Sequence, residues 1–186
     1  MEQSDSIVSS LLSHISKNEK ELPPVETWNP PYCGEMDIII KANGDWIHNN
    51  SPIGRKKLFK LFSTILLKQN DEYFLVTPVE KVKIQVDWQP FVITDFEIVD
   101  HQGLACFLFT DNCDNQVMLV EQKQLAFSQF EGLSLPVIRV RRNLFASFSR
   151  SCYYRLIEQS DIVVENNIQQ VQISSNGQVF CLGKIS

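Results

Sequence analysis

Several things are scarce in this 186-residue chain, and each scarcity excludes a class of protein. Its seven glycines form neither a Walker loop nor a GxGxxG turn, so nucleotide folds of those kinds have no support. The three histidines, His14, His48 and His101, fall in no HExxH or other ligand spacing, and no CxxC pair occurs, so neither a metal nor any other cofactor is expected. Five scattered cysteines are too few, and odd in number, for a secreted disulfide scaffold. The longest apolar run, Leu104 to Phe109, is one strand long, against the roughly 20 residues of a membrane-spanning helix. The first residues, MEQSDSIVSS, are acidic and polar where a signal peptide is basic and then apolar. A reduced, cytoplasmic, soluble protein is therefore expected, with no membrane partner.

What is present suits a globular chain. Apolar residues make up 44% and charged residues 21%, enough for a core without staples. Ile7, Val8, Leu11, Leu12 and Ile15 recur at helical spacing, which predicts an N-terminal amphipathic helix within residues 1–20. A proline-rich loop follows, Trp28-Asn29-Pro30-Pro31-Tyr32-Cys33-Gly34, ordered by its rigid and aromatic members. Asn43-Gly44 and Asn176-Gly177, each between apolar segments, predict type I′ hairpins. Ser51-Pro52 reads as the N-cap and first residue of a helix reaching Lys68, with Leu58, Leu61, Phe62, Ile65 and Leu66 as its apolar stripe. Residues 72–127 read as a run of strands, and PVIRVR from Pro136 as another. A second helix is expected to turn Leu144, Phe145, Phe148, Cys152 and Leu156 inward. The fold class expected is α+β. Two β-rich units with repeated motifs would each hold antiparallel strands, an Asn-Gly hairpin and one amphipathic helix, over residues 21–99 and 100–186.

Charge is unevenly placed. The net charge of −5 opposes a protein that coats nucleic acid, yet five of the six arginines fall between Arg139 and Arg155. Arg139 and Arg141 stand two apart on a strand, which puts both planar forks on one face as a receptor for a multivalent anion. Their competing use is pairing with the chain's own acids. The leading functional expectation is a non-enzymatic binding or regulatory module for a small anion, its site between the two units. A second is an interaction adaptor using the N-terminal helix and exposed hairpin edges. A third is an enzyme built on Cys33 or on the Asp37 and Glu80 carboxylates, although no catalytic residue is assigned. The run Asp111 to Asn115 lacks the glycine and final glutamate of a calcium loop and reads as a turn.

Four strings in one order, WNPPYCGEMDI, GDWIHNNSPIGRKKLFKLFSTIL, YFLVTPVEKVKIQVDWQPF and PVIRVRRNLFASFSRSCYYRLIE, resemble the bacterial family of unknown function DUF1285. The resemblance spans residues 22–184 and departs from the family at 100–131 and in the tail. It implies two β-rich units built from repeated motifs, and a binding or signalling role. The residues that match are Trp28, Asn29, Cys33, Asp37, Arg55, Glu80, Lys81, Arg139, Arg141, Arg150 and Tyr154. These are the expected ligand-binding set, with the Trp28–Gly34 loop, Arg55, Arg139, Arg141 and Arg150 lining the expected cleft.

Overall fold

A computed structural model describes residues 22–165 and 168–185. The helix expected at the N-terminus lies outside them. The chain divides into two compact units between Asp87 and Trp88, ahead of the boundary at 99/100 that the sequence suggested.

The first unit is a six-stranded sheet and one helix. Its strands are β1 (Tyr32–Ile40), β2 (Trp46–His48), β3 (Ser51–Pro52), β4 (Leu66–Gln69), β5 (Glu72–Val76) and β6 (Lys81–Val86), with α1 (Lys56–Thr64) between β3 and β4. The order across the sheet is β3-β2-β1-β6-β5-β4, and β1 lies parallel to β6 while all other neighbours are antiparallel. Two meanders thus meet at a parallel seam. On β1 the side chains alternate, with Met36, Ile38 and Ile40 buried and Glu35 and Asp37 exposed, the period-two pattern of a sheet with one wet face. The core gathers Ile38, Ile40, Leu75 and Val82 with Phe62 and Ile65, and Trp46 stacks on Phe59 and Phe62 with ring centres 6.4 and 6.3 Å apart. Each fully buried side chain of this kind contributes about 1.5–3 kcal/mol.

Helix α1 is shorter than its hydrophobic stripe suggested. Ser51-Pro52 does not cap it but forms the edge strand β3, set against Ile47 and His48 through a turn in which Asn49 (φ 49°) and Asn50 (φ 60°) are both left-handed. Ile53 N–H donates to Trp46 O at 2.8 Å, which continues the pairing. At the far end Leu66 to Gln69 pairs with β5. Sheet pairing at both ends therefore outweighs the helical periodicity.

The second unit contains β7 (Phe91–His101), β8 (Leu104–Asp111), β9 (Gln116–Met118), a 3-10 turn (Gln122–Gln124), β10 (Leu125–Phe130), β11 (Leu133–Arg141) and β12 (Leu144–Phe148). After these come α2 (Arg150–Glu158) and a three-stranded meander of β13 (Asp161–Glu165), β14 (Ile168–Ser175) and β15 (Gln178–Ile185). The six-stranded sheet runs β10-β11-β12-β7-β8-β9, with β12 parallel to β7. This is the strand order of the first sheet, with two outward meanders meeting where the first and last strands run parallel. The sequence motifs expected to repeat do not occupy equivalent places, however. Asn43-Gly44 lies between the first two strands of the first sheet, where the second sheet has Gln102-Gly103, and Asn176-Gly177 belongs to the added meander.

The turns themselves differ from one another. Asn43 does not have positive φ; only Gly44 (φ 90°) is left-handed, in a longer loop closed by Gly44 N–H to Lys41 O and Lys41 N–H to Asp45 O. Asn176 (φ 50°) and Gly177 (φ 71°) join Ser175 to Gln178 in two residues. Leu144 to Phe148, expected in the second helix, instead form β12, and α2 begins only after Ser149, whose Oγ accepts from Cys152 N–H at 3.3 Å. Cys152 and Leu156 do turn inward on α2.

Candidate functional site

The wet face of the first sheet is the starting point. In the parallel pairing of β1 with β6, Glu35 opposes Lys83 and Ile39 opposes Gln85. Glu35, Asp37 and Ile39 alternate along β1 exactly as Lys81, Lys83 and Gln85 do along β6, so both sets stand on the face turned away from Ile38 and Val82. A hollow of about 660 Å³ opens here, lined by Glu35, Asp37, Ile39, Glu72, Lys83 and Gln85 among others. At its centre the Lys83 ammonium bridges two strands, 2.7 Å from Glu72 Oε1 and 3.3 Å from Glu35 Oε1. The hydrogen bonds to Glu72 and Glu35 raise its pKa above the ordinary lysine value. Burial likewise pushes up the phenol of Tyr73, which lies beside Lys68 and Asp71. The lining holds four carboxylates, from Glu35, Asp37, Asp71 and Glu72, and one lysine; Glu35 and Glu72 pair with Lys83, and Asp71 pairs with Lys68 at 3.1 Å.

The residues singled out by sequence in this unit are dispersed around the hollow. Only Asp37 lines it. Lys81 lies 4.1 Å above the Phe74 ring and donates to Gln69 Oε1. Cys33 is exposed, its thiol directed to Pro31 O at 3.4 Å, while Asn29 and Arg55 are exposed and Trp28 is half-buried. Glu80 is half-buried and its Oε2 is enclosed without a hydrogen bond. Because Tyr32 opposes Lys81, Asp37 stands five residues along β1 from the level of Glu80's neighbour, roughly 15 Å at strand rise. The Asp37 and Glu80 carboxylates therefore do not share a site, and the enzyme reading built on that pair has no geometric basis.

In the second unit the arginines part company. Between Arg139 and Arg141 the β11–β12 register shifts, so Arg139 opposes Phe145 and Arg141 opposes Leu144. Neighbouring residues of a strand point to opposite faces. The bulge thus sends the two guanidiniums to opposite sides of the sheet, and the two-fork receptor expected from their spacing does not form. Arg139 lies over the Phe145 ring at 5.6 Å, with its Nε enclosed and making no hydrogen bond. Arg141 lies 4.8 Å over Phe91 and donates from Nη1 to Asn115 Oδ1 at 3.0 Å. Arg150 opens α2 in solvent, Tyr154 is exposed on the same helix, and Arg155 pairs with Asp95, whose carboxyl it holds below the ordinary range.

Arg141 belongs to a structural knot that the sequence presented as a plain turn. Asp111 is buried at the end of β8 and accepts from Cys113 N–H at 2.8 Å, Asn115 N–H at 2.9 Å and Asn115 Nδ2 at 2.7 Å. Asn112 closes the knot on β7, accepting from Val92 N–H at 3.0 Å and donating to Val92 O at 2.9 Å. Burial pushes the Asp111 carboxyl up, against the lowering effect of these donors and of Arg141. Burial also pulls the Arg141 guanidinium down, with Asp111 opposing.

Sequence reasoning missed Lys83, Glu35 and Glu72. The alternation of KVKIQV and GEMDII held the signal, since period-two polar residues on adjacent strands share a face. Among the described residues no cluster of His, Cys, Asp or Glu could hold a metal ion. The buried Cys152 thiol is pushed up to about 11 by burial and is no nucleophile at neutral pH. No helix of the described residues is long and apolar enough to cross a membrane.

These features define a two-unit α+β protein of paired β-meanders with an open polar hollow in one unit. The chain belongs to the DUF1285 family. The model of the N-terminal domain of unknown function DUF1285 matches residues 23–98, and that of the C-terminal domain matches residues 90–182. A crystal structure of a DUF1285 family protein from Silicibacter pomeroyi is 34% identical, with a TM-score of 0.77, over 92% of this chain and 93% of that one. One from Shewanella baltica is 32% identical, with a TM-score of 0.55, over 66% of this chain and 91% of that one. No curated protein matches the chain.

Proposed function

We propose that the chain is a non-catalytic regulatory module that binds a small polar ligand, and that the hollow over β1, β6 and β5 is the ligand's site. The observation that carries this reading is the hollow itself. Its volume of about 660 Å³ is within the usual range for ligand pockets, and charged groups of both signs line it. Lys83, held between Glu72 and Glu35, can exchange one carboxylate partner for a ligand carboxylate or phosphate oxygen. Asp37 offers a carboxylate to a ligand amine. With Asp71 held by Lys68, three acids remain around Lys83, a balance that favours a zwitterion or a cation over a bare anion. A thermal-shift screen of amino acids, amines and phosphate-bearing metabolites tests this. At least one amine-bearing compound is expected to stabilise the chain, with affinity falling about tenfold in both Asp37→Ala and Lys83→Ala. Stabilisation by no compound, or binding to either variant as tight as to the wild type, overturns the reading.

The expected anion has one observation in its favour, the Arg139 guanidinium. It lies half-buried against Phe145 with an Nε lacking a hydrogen bond, an arrangement that an oxyanion would complete. If phosphate-bearing compounds stabilise the wild-type chain but not Arg139→Ala, this second site holds. Equal stabilisation of the two excludes it.

A further inference from the structure

Strand β13, Asp161–Glu165, is an edge with exposed side chains on both faces. Four of its five residues are exposed, and Ile162 and Val164 are each 63% accessible. On one side it pairs with β14 along its whole length, from Asp161 opposite Gln172 to Glu165 opposite Ile168, without a register shift. Among the described residues no strand pairs with its other side. An edge of this kind presents a row of unpaired N–H and C=O groups, a template for another strand.

Several other edge strands are guarded in the ways edges usually are, β15 among them with Lys184 and a register shift. Strand β3 has two residues and contains Pro52, β9 has three residues, and β4 carries Lys68 in its four. Strand β10, LAFSQF, is a second unguarded edge but lacks the terminal charges of β13. Strand β13 has no proline, glycine, lysine or bulge. It combines a flat ladder with two apolar side chains on one face.

Charge selects the occupant. Asp161 and Glu165 stand at the two ends of the strand and form no ion pair among the described residues; Glu165 accepts only from Gln170 Nε2, at 3.3 Å. A second copy of the chain, paired antiparallel about Val163, would set Asp161 against Glu165 twice. Like charges directly opposite one another destabilise a strand pair. A strand with basic residues at its ends and alternating apolar residues between reverses both repulsions and covers Ile162 and Val164.

We propose that β13 is a strand-addition site for an extended segment of a partner protein, basic at both ends and apolar on the face that meets Ile162 and Val164. The backbone ladder supplies the affinity, and the two terminal carboxylates supply the selection. This surface shares no residue with the hollow over the first sheet, and the proposal does not depend on that hollow's ligand.

The probe is a capped peptide of alternating valine and threonine with paired lysines at each end, titrated into the full chain by fluorescence anisotropy. A version ending in glutamates is the comparison. The lysine peptide is expected to bind and the glutamate peptide to bind about tenfold more weakly. In the double variant Asp161→Lys with Glu165→Lys the preference is expected to reverse. Both positions are exposed, and circular dichroism confirms that the variant folds. Three results would each overturn the proposal. These are no binding at millimolar peptide, equal binding of the two peptides, and a wild-type dimer that Ile162→Lys dissociates, which would make a second copy the occupant.

Discussion

Replacing Asp111 with alanine is expected to lower the unfolding free energy by about 3–5 kcal/mol, because it removes one buried charge and leaves its partners in place. Cys113 N–H and Asn115 N–H lose their acceptor, Asn115 Nδ2 loses its own, and Asn115 is the side chain that accepts from Arg141. An enclosed donor without a partner costs about 1–3 kcal/mol, so three lost bonds and a weakened anchor for Arg141 exceed a simple cavity term. The melting temperature is expected to fall by roughly 10 °C. Urea denaturation of wild type and variant measures the difference, and a loss below about 1 kcal/mol would mean that water replaces the carboxylate. The pH dependence has a defined sign. Burial raises the Asp111 carboxyl above its ordinary value, so between the unfolded and folded values the folded chain holds a proton that the unfolded chain has released. The stability contributed by this group therefore falls as pH rises through that interval. Asp111→Asn, similar in shape and uncharged, removes the slope.

Ser175→Ala is the second change with a large expected effect. Ser175 is buried at the end of β14, and its hydroxyl accepts from Phe107 N–H at 2.9 Å and donates to Leu119 O at 2.6 Å. With Asn176 N–H, which donates to Ala105 O at 2.8 Å, it ties the three-stranded meander to β8 and to the chain after β9. Alanine leaves the buried Phe107 N–H unpaired and Leu119 O with only the Cys106 thiol at 3.6 Å, for a loss of about 1–3 kcal/mol. Hydrogen exchange at the Phe107 amide is expected to accelerate beyond that of its neighbours. Ser175→Thr keeps the hydroxyl and is expected to retain most of the stability, provided the added methyl is accommodated. If alanine and threonine behave alike, packing and not the hydroxyl governs the site.

Both predictions concern polar residues whose importance the sequence did not display. Asp111 to Asn115 reads as a turn, and it is one; nothing in DNCDN tells that its first carboxylate is buried or that Arg141, twenty-six residues later, reaches Asn115. Ser175 sits in an ordinary polar strand end, and its partners lie fifty-six and sixty-eight residues away. The arginine pair shows the same limit from the other side. Spacing alone places Arg139 and Arg141 on one face, and a single extra residue in the pairing with β12 separates them. Helical periodicity at 58–66 likewise identified a buried stripe correctly, but Leu66 is a strand residue, because its backbone is claimed by Leu75.

Short-range rules of the backbone and side chains were sufficient for a good deal. The strands over residues 72–127 and from Pro136, the α+β class with two β-rich units, and the family itself follow from local composition, alternation and four ordered strings. These depend on residues two to four apart, whose geometry the covalent chain constrains. Tertiary structure alone decided which strands run parallel at the two seams, where the units divide, and which charges meet. Lys83 finds Glu35 and Glu72 only because β6 lies between β1 and β5, and β13 is an open edge only because, among the described residues, no fourth strand joins its meander. Such contacts join residues far apart in sequence, so they are set by how whole sheets bury their apolar faces, and local patterns do not carry that information.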